Sequence, residues 1–207
     1  MRAVILGFVI LGAASIQAAE FQGSFDKDKA NEPPAGWERG FLGKSGSPKW
    51  AIAKSDKAPS LPNVLIQTGY AANNWLIYQG LKIKNGRVTC QFKIDKGDED
   101  PEAGIIWRFV DGQNHYYVRA NTLENNVVVY RMHNGKKEMV KTVEVRVPKG
   151  EWTKLTVEFK NEDFTVFLGS TQIMSHKDGV IKEAGKVGLF TMADTVASFD
   201  NFTVSGE

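Results

Sequence analysis

Hydrophobic and polar residues alternate with a period of two along most of this chain. The segment RVTCQFKI is an example, with Val88, Cys90, Phe92 and Ile94 on one side and Arg87, Thr89, Gln91 and Lys93 on the other. This period is typical of a β-strand with one buried face. About a dozen such short runs, separated by turn residues, extend from Trp50 to the end, and none has the period of a convincing amphipathic helix. The pattern predicts an all-β fold in which two sheets pack face to face as a jelly-roll sandwich.

The two ends of the predicted domain are less regular. Residues 1–19 combine Arg2, an apolar run from Ala3 to Ala14 and a row of small residues. This layout is that of a signal peptide, and an uncleaved membrane anchor is the alternative. The segment from Phe21 to Asp56 is rich in Gly, Pro and Asn, and we expect a loop that enters a strand at Trp50. The sequence thus predicts an exported chain with a single domain over residues 20–207, free of the membrane after cleavage.

Charge and cysteine content exclude some classes of function. The chain has 26 Lys and Arg against 24 Asp and Glu, a balance that gives no reason to expect nucleic acid as a partner. Cys90 is the only cysteine, so an internal disulfide is excluded. Because Cys90 lies on the apolar side of its strand, we expect a buried structural thiol rather than a catalytic one.

The segment from Ala103 to Met132 predicts three neighbouring strands, at Ile105–Val110, His115–Asn121 and Asn126–Met132. Pairing them through their turns sorts the side chains onto two faces. The apolar face carries Ile105, Trp107, Phe109, Tyr116, Val118, Ala120, Val127 and Val129. The other face carries Arg108, Tyr117, Arg119, Asn121, Asn126 and Tyr130, together with Ile106 and Val128.

The second face has the composition of a carbohydrate site. Tyrosine rings can stack on the apolar face of a sugar ring, while Arg and Asn side chains supply fixed donors and acceptors for its hydroxyls. A solvated outer sheet face with no ligand is the alternative. His115 at the strand end is a further candidate, either as a sugar ligand or as a turn residue.

Four segments of the chain resemble a known family of exported bacterial proteins. They are Gly104–Arg108, Asp111–Asn121, Asn126–Arg131 and Gly185–Asp200, which include GIIWR, DGQNHYYVRAN, NVVVYR and GKVGLFTMADTVASFD. Together they are similar to the 3-keto-disaccharide hydrolase domain, also called family 16 glycoside hydrolase-like. The resemblance implies a two-sheet jelly roll of the concanavalin A-like lectin and glucanase type, with carbohydrate bound on the concave sheet face.

The chemistry at this face stays open between two alternatives. The resemblance implies a hydrolase acting on 3-ketoglucosides, with Glu124 or Asp111 in acid–base roles. Against it, the chain has Glu102-Ala103-Gly104 where the enzymes have Asn-Ser-Gly, and it lacks the paired-carboxylate strand motif of family 16 glycosidases. A lectin-like module that binds sugar without chemistry is the alternative. Two carboxylates converging beside the Arg/Tyr cluster would favour the enzyme, and a shallow aromatic shelf would favour binding.

No cofactor is required by either alternative, and the only metal we expect is structural. Jelly rolls of this type often bind Ca²⁺ near the chain ends, which makes Asp200 a candidate ligand with Asp26 or Asp28 as its partner. The acidic run from Asp95 to Glu102 is expected to be a solvated loop rather than a metal site. The three histidines do not have zinc-ligand spacing.

Overall fold

The computed structural model describes residues 19–43 and 45–207, and all of its regular elements are β-strands. The predicted signal peptide lies outside the described residues except for Ala19, where the first strand begins. The strands are β1 (Ala19–Gly23), β2 (Trp37–Phe41), β3 (Trp50–Lys54), β4 (Asn63–Gln67), β5 (Ala71–Ile83), β6 (Gly86–Lys96), β7 (Glu102–Asp111), β8 (Asn114–Asn121), β9 (Asn126–His133), β10 (Lys136–Glu144), β11 (Thr153–Lys160), β12 (Asp163–Leu168), β13 (Thr171–Lys177), β14 (Gly185–Ala193) and β15 (Val196–Gly206). Within the described part of the chain, no helix is long and apolar enough to cross a membrane.

The strands form two antiparallel sheets, which confirms the predicted all-β jelly-roll sandwich. The eight-stranded sheet has the order β13-β12-β11-β6-β15-β4-β3, and β1 adds to β15. The seven-stranded sheet has the order β10-β9-β8-β7-β14-β5-β2. Local turn chemistry fixes part of this register: Asn134 and Gly135 join β9 to β10 with φ values of 51° and 76°, the positive angles that a two-residue hairpin requires.

The main hydrophobic core fills the space between the two sheets. Strands β6, β11 and β15 contribute one wall and β7, β8 and β9 the other, so the period-two side chains of both meet there. Trp107 stacks on Tyr116 inside this core with ring centroids 5.3 Å apart. Cys90 is fully buried in it, and burial raises the pKa of its thiol, as expected for a structural cysteine.

The segment expected to be a loop contains two strands that the sequence pattern did not predict. These are β1 and β2, each five residues long. Strand β2 lies at the edge of the seven-stranded sheet, and most of its residues are half-buried or exposed. An edge strand with little buried surface has no clear hydrophobic alternation, which explains why the prediction of a loop was wrong there.

A bulge in β7 changes the predicted faces at two residues. Arg108 has a φ of 48°, and the pairing of β7 with β8 shifts between Trp107 and Asp111. The extra residue reverses the alternation that holds up to Trp107. Phe109 therefore lies on the outer face of the seven-stranded sheet and Arg108 does not, the reverse of the prediction.

Candidate functional site

A second hydrophobic cluster covers the outer face of the seven-stranded sheet, on the opposite side from the main core. Its buried members are Trp75, Ile77, Ile106, Tyr117, Met132 and Phe190, and Leu42, Phe109, Tyr130 and Met192 pack against them. All the buried members come from strands of this one sheet. This surface is the counterpart of the concave face predicted from sequence, and it carries both the aromatic and the charged candidates.

Three aromatic rings in this cluster stack in a row. The Tyr117 ring lies between Tyr130, at a centroid distance of 5.2 Å, and Phe190, at 4.4 Å. Tyr117 and Phe190 come from β8 and β14, which are separated by β7. Phe190 pairs with Gly104 and Tyr117 with Ile106, so the two rings approach each other diagonally, past Gly104, which has no side chain to keep them apart. We call Tyr130, Tyr117 and Phe190 the aromatic row.

Arg119 lies beside the aromatic row and is held by two glutamates. Its Nε is 2.7 Å from Oε2 of Glu102 on β7, and its Nη2 donates to Oε2 of Glu124 at 2.7 Å. Its Nη1 donates to Oδ1 of Asn126. Because both carboxylates contact one planar guanidinium, the two carboxyl groups lie within about 8 Å of each other. The structure thus brings together the convergent carboxylates that the sequence alone did not reveal.

The two glutamates have opposite environments. Glu102 is buried, and burial raises the pKa of its carboxyl above its usual value even though Arg119 acts in the other direction. Half of the Glu124 side chain is exposed, and hydrogen bonds from Asn126 and Arg119 lower the pKa of its carboxyl. A pair of carboxyl groups whose pKa values are driven apart is the arrangement that acid–base chemistry uses.

Three buried polar atoms at this cluster have no hydrogen-bond partner among the described residues. They are Oε1 of Glu102, the hydroxyl oxygen of Tyr117 and Nε of Arg119, which contacts Glu102 as an ion pair. Burial and then the charge of Glu102 raise the pKa of Tyr117, so the hydroxyl keeps its proton. Buried polar groups nearly always have a partner, so unpartnered atoms of this kind point to a bound water or a ligand hydroxyl at this cluster. The candidate site therefore has unused hydrogen-bonding capacity next to the carboxylates.

Lys137 brings a positive charge to the same cluster from the edge strand β10. Its Nζ lies 4.2 Å from the ring centroid of Tyr130 and 5.9 Å from that of Tyr117. The side chain is exposed, and its charge lowers the pKa values of both Glu102 and Glu124. Because this side chain is exposed, its ammonium group is accessible to a ligand bound on the aromatic row.

Asn121, predicted to bind sugar, lies next to this cluster but uses its amide in the turn between β8 and β9. Its Oδ1 accepts hydrogen bonds from the backbone N–H groups of Leu123 and Glu124, and its Nδ2 donates to Asp100 at 2.6 Å. This is the turn-forming role that Asn often has. Asn121 thereby positions Glu124 at the site and has no free amide atom to offer a ligand.

Asp111 and His115 lie at the other end of β8 from Glu124. The Asp111 carboxylate accepts hydrogen bonds from the Gln113 N–H and from Asn114 Nδ2, which shape the tip of the β7–β8 hairpin. His115 is buried against Trp75, and burial lowers its pKa to about 4, so the ring is neutral at ordinary pH. A strand of eight residues spans more than about 20 Å, so Asp111 cannot act together with Glu124.

Arg108, predicted to orient a sugar, is placed away from the site. Its guanidinium donates to the backbone oxygens of Lys84, Asn161 and Ile181, with distances of 3.1, 2.5 and 2.8 Å. It also lies over the Phe159 ring, at 5.6 Å. The bulge in β7 directs it there, so the structure gives Arg108 a scaffold role that joins three segments at one end of the sandwich.

Asp200, the predicted calcium ligand, is buried in the eight-stranded sheet. Its Oδ2 accepts a hydrogen bond from the Ser60 N–H at 2.7 Å, and the Ser60 hydroxyl in turn donates to Asp26. Burial, opposed by that backbone hydrogen bond, raises the Asp200 pKa to about 6. No group of three or more His, Cys, Asp or Glu side chains in the described part of the chain is arranged to hold a metal. Calcium binding at Asp200 stays a prediction.

The raised pKa of Asp200 predicts a pH-dependent stability. Because the folded pKa of about 6 lies above the ordinary value of 3.8, the native state binds the proton more tightly than the unfolded state. The contribution of Asp200 to the free energy of unfolding is therefore greatest below about pH 4 and is lost as the pH rises to about 6. The difference in the free energy of unfolding between wild type and Asp200→Asn should therefore fall by about 2 kcal/mol from about pH 4 to about pH 6. Urea unfolding of both proteins at several pH values measures it.

The control for this measurement is Asp163→Asn, since more than half of the Asp163 side chain is exposed and it forms a surface ion pair with Lys177. A surface ion pair contributes less than about 1 kcal/mol, so the free energy of unfolding of this variant should stay close to that of wild type. A difference between wild type and Asp200→Asn that does not change with pH would contradict the raised pKa of Asp200.

The residues of this site that the sequence reasoning missed include Glu102, Trp75, Phe190 and Lys137. Glu102 was assigned to a solvated acidic loop, although its spacing of two from Gly104 and four from Ile106 placed it on the same strand face. Trp75 and Phe190 lie in β5 and β14, far from the predicted three strands in sequence, and no local pattern links them to the site. Only the sheet order brings them together.

Comparison with solved structures shows the same sandwich in carbohydrate-related proteins. The carbohydrate-binding module CBM66 from Bacillus subtilis matches with a TM-score of 0.65 and 15% identity, covering 81% of this chain and 93% of that one. A Bacteroides ovatus GH16 protein bound to a glucan product has a TM-score of 0.62 at 10% identity, with 89% and 99% covered. The Bacillus licheniformis β-glucanase has a TM-score of 0.57 at 10% identity, with 91% and 98% covered. At these identities the similarity shows a shared fold.

Sequence comparison gives the family. No curated protein matches the chain. The sequence model of the 3-keto-alpha-glucoside-1,2-lyase-like domain matches residues 36–205, a range that takes in both the aromatic row and the Arg119 cluster. The predicted resemblance is thereby confirmed, and the chain belongs to the 3-keto-alpha-glucoside-1,2-lyase-like domain family.

Proposed function

We propose that this protein cleaves a 3-keto-α-glucoside on the outer face of the seven-stranded sheet. The observation that carries the proposal is Arg119, held between a buried carboxyl group with a raised pKa and an exposed carboxylate with a lowered one. The family to which the chain belongs is described by a 1,2-lyase of 3-keto-α-glucosides, and the acid–base pair fits the needs of that reaction.

The proposed reaction is an elimination across C1 and C2 of the sugar. The ketone at C3 makes the C2–H bond acidic, and Glu124 as the base takes this proton. A C1=C2 double bond forms, the bond between C1 and the glycosidic oxygen breaks, and that oxygen takes the proton carried by Glu102. The products are an unsaturated keto-sugar and a free alcohol, and no oxidant or reductant is consumed.

The surrounding residues have supporting roles in this proposal. Arg119 orients both carboxyl groups, and its remaining N–H groups together with the Lys137 ammonium stabilise negative charge on the C3 oxygen during proton removal. The orphaned Tyr117 hydroxyl donates a hydrogen bond to a sugar oxygen, and Tyr130 offers its ring face. Asn126 holds both Arg119 and Glu124 in place.

Binding without chemistry is the second candidate function. The observation that favours it is the aromatic row, which is a ready platform for a sugar ring whether or not a bond is broken. In either case we propose an exported protein, because residues 1–19 have the layout of a signal peptide.

The decisive experiment offers the purified protein p-nitrophenyl 3-keto-α-glucoside and, separately, the unoxidised glucoside. We expect release of nitrophenolate from the keto-sugar alone, accompanied by the ultraviolet absorbance of an enone, because only the ketone acidifies C2–H. Nitrophenolate without the enone signal would replace elimination by hydrolysis. Calorimetric binding without release would leave the lectin-like candidate, and neither binding nor release would overturn both.

A further inference from the structure

Two Asn-Gly pairs occur in this chain, at Asn85-Gly86 and Asn134-Gly135, each where one strand ends and the next begins. An asparagine followed by glycine is chemically labile, because a glycine has no side chain to keep its backbone nitrogen away from the preceding side-chain amide. Attack of that nitrogen on the amide closes a five-membered succinimide ring. The reaction requires both residues to move, so hydrogen bonds that hold them suppress it. The two pairs differ sharply in this respect.

The pair Asn134-Gly135 is open. Both residues are exposed, and they form the two-residue turn between β9 and β10. Among the described residues, the Asn134 side chain makes a single, long hydrogen-bond contact, 3.5 Å from Nδ2 to Nε2 of His133. The Gly135 N–H donates to the backbone oxygen of Gln113 at 3.1 Å, a contact between two exposed turns. A Cβ placed on Gly135 would lie no closer than 3.6 Å to any atom beyond its chain neighbours, so this turn has room to change shape.

The pair Asn85-Gly86 is held on all sides. The Asn85 Oδ1 accepts a hydrogen bond from the backbone N–H of Asn161 at 2.7 Å, and its Nδ2 donates to Oε1 of Glu207 at 3.1 Å. Gly86 is the first residue of β6 and pairs with β15 on one side and with β11 on the other. Succinimide formation here would break both side-chain hydrogen bonds and open the eight-stranded sheet.

We propose that Asn134 is a site of spontaneous deamidation in the folded protein. The backbone nitrogen of Gly135 attacks Cγ of Asn134, the bond from Cγ to Nδ2 breaks, and the amide nitrogen leaves as ammonia with the proton from the Gly135 N–H. Water then opens the succinimide at either of its carbonyl groups. One opening gives aspartate, and the other gives isoaspartate, in which the main chain runs through the former side chain. Both products carry a new negative charge, and no oxidant or reductant is consumed.

The isoaspartyl product releases the edge strand β10 from its register. The turn at Asn134-Gly135 has two positive φ angles, and it holds Lys136 opposite His133 and Lys137 opposite Met132. Isoaspartate lengthens the main chain within this turn, and β10 pairs only with β9, so no second strand holds it in place. Lys137, whose Nζ lies 4.2 Å from the centroid of the Tyr130 ring, then moves away from the aromatic row. Ageing of the protein thereby changes the charge at the candidate site.

The first test follows both Asn-Gly pairs in wild type by peptide mass spectrometry, in native buffer and in concentrated urea. In urea the two pairs should react at similar rates, because the structure that distinguishes them is lost. In native buffer Asn134 should react about tenfold or more faster than Asn85, because only the reaction at Asn85 has to break two side-chain hydrogen bonds and a sheet ladder. Equal native rates at the two sites would overturn the proposal. So would an Asn134 that reacts in urea and stays intact in native buffer.

Two variants test the release of β10 by amide hydrogen exchange. Asn134→Gly removes the amide and keeps the turn, since Gly-Gly also adopts the required positive φ angles, whereas Asn134→Asp adds the charge without lengthening the main chain. Aged wild type, enriched in isoaspartate, should exchange the β10 amides faster than fresh wild type. Fresh Asn134→Asp and aged Asn134→Gly should both match fresh wild type. Unchanged β10 exchange in the isoaspartyl fraction would contradict the release, and neither test uses a substrate, so both are independent of the proposed function.

Discussion

Glu124→Gln should lower kcat on a 3-keto-α-glucoside by about 100-fold or more. The amide can still accept a hydrogen bond from Arg119, but it cannot take the C2 proton, and a positioned general base contributes about 10² to 10⁴ in rate. Half of the Glu124 side chain is exposed, so the free energy of unfolding should barely change. Steady-state kinetics and a thermal melt on the same sample measure both quantities.

The matched control is Glu158→Gln in the eight-stranded sheet. Glu158 is similarly exposed and also pairs with an arginine, Arg87, at 2.8 Å. It should leave kcat and KM at wild-type values. If Glu124→Gln keeps full turnover, the base must be sought elsewhere, and the proposed assignment of Glu102 and Glu124 is wrong.

Arg108→Ala should destabilise the fold by about 4 kcal/mol. The substitution leaves three backbone oxygens from different segments without their donor, and it removes the guanidinium from the Phe159 ring. Hydrogen bonds to a charged group each contribute about 1.5–3 kcal/mol, and only the bond to Ile181 is fully buried. Urea unfolding measures the loss, and Arg108→Lys should recover only part of it because an ammonium cannot reproduce the fork of the guanidinium.

Arg87→Ala is the control for this prediction, since about half of the Arg87 side chain is exposed and a surface ion pair contributes less than about 1 kcal/mol. The KM of Arg108→Ala should equal that of wild type when both are measured at a temperature at which the variant is folded. A raised KM with unchanged stability would instead restore Arg108 to the role of a sugar-orienting residue.

Local alternation was enough to predict the sandwich and most of one face, but not the bulge. Tyr117, Arg119, Asn126 and Tyr130 lie together as the period-two pattern indicated. Arg108 departs from it because a single residue with positive φ reverses the faces beyond it. The bulge is stabilised by hydrogen bonds from the Arg108 side chain to three carbonyl oxygens. These oxygens come from segments that are distant in sequence, so no local pattern predicts the bulge.

The other misses have a different cause, which is contact between parts of the chain that are far apart in sequence. In the sequence Glu102 is part of an acidic run, and only the pairing of β7 with β8 places Arg119 beside it. Trp75 and Phe190 join the face only through the sheet order, in which β14 and β5 follow β7. Pairing between strands that are far apart in the chain leaves no periodic signal in the sequence.

The charged part of the candidate site and part of its aromatic surface come from different regions of the chain. Glu102, Arg119, Glu124 and Asn126 lie within one continuous segment, from β7 to β9, whereas Trp75 comes from β5 and Phe190 from β14. Substitutions in β5 or β14 can therefore reshape the aromatic surface without changing the contacts between Arg119 and its two glutamates. The site is in this sense modular.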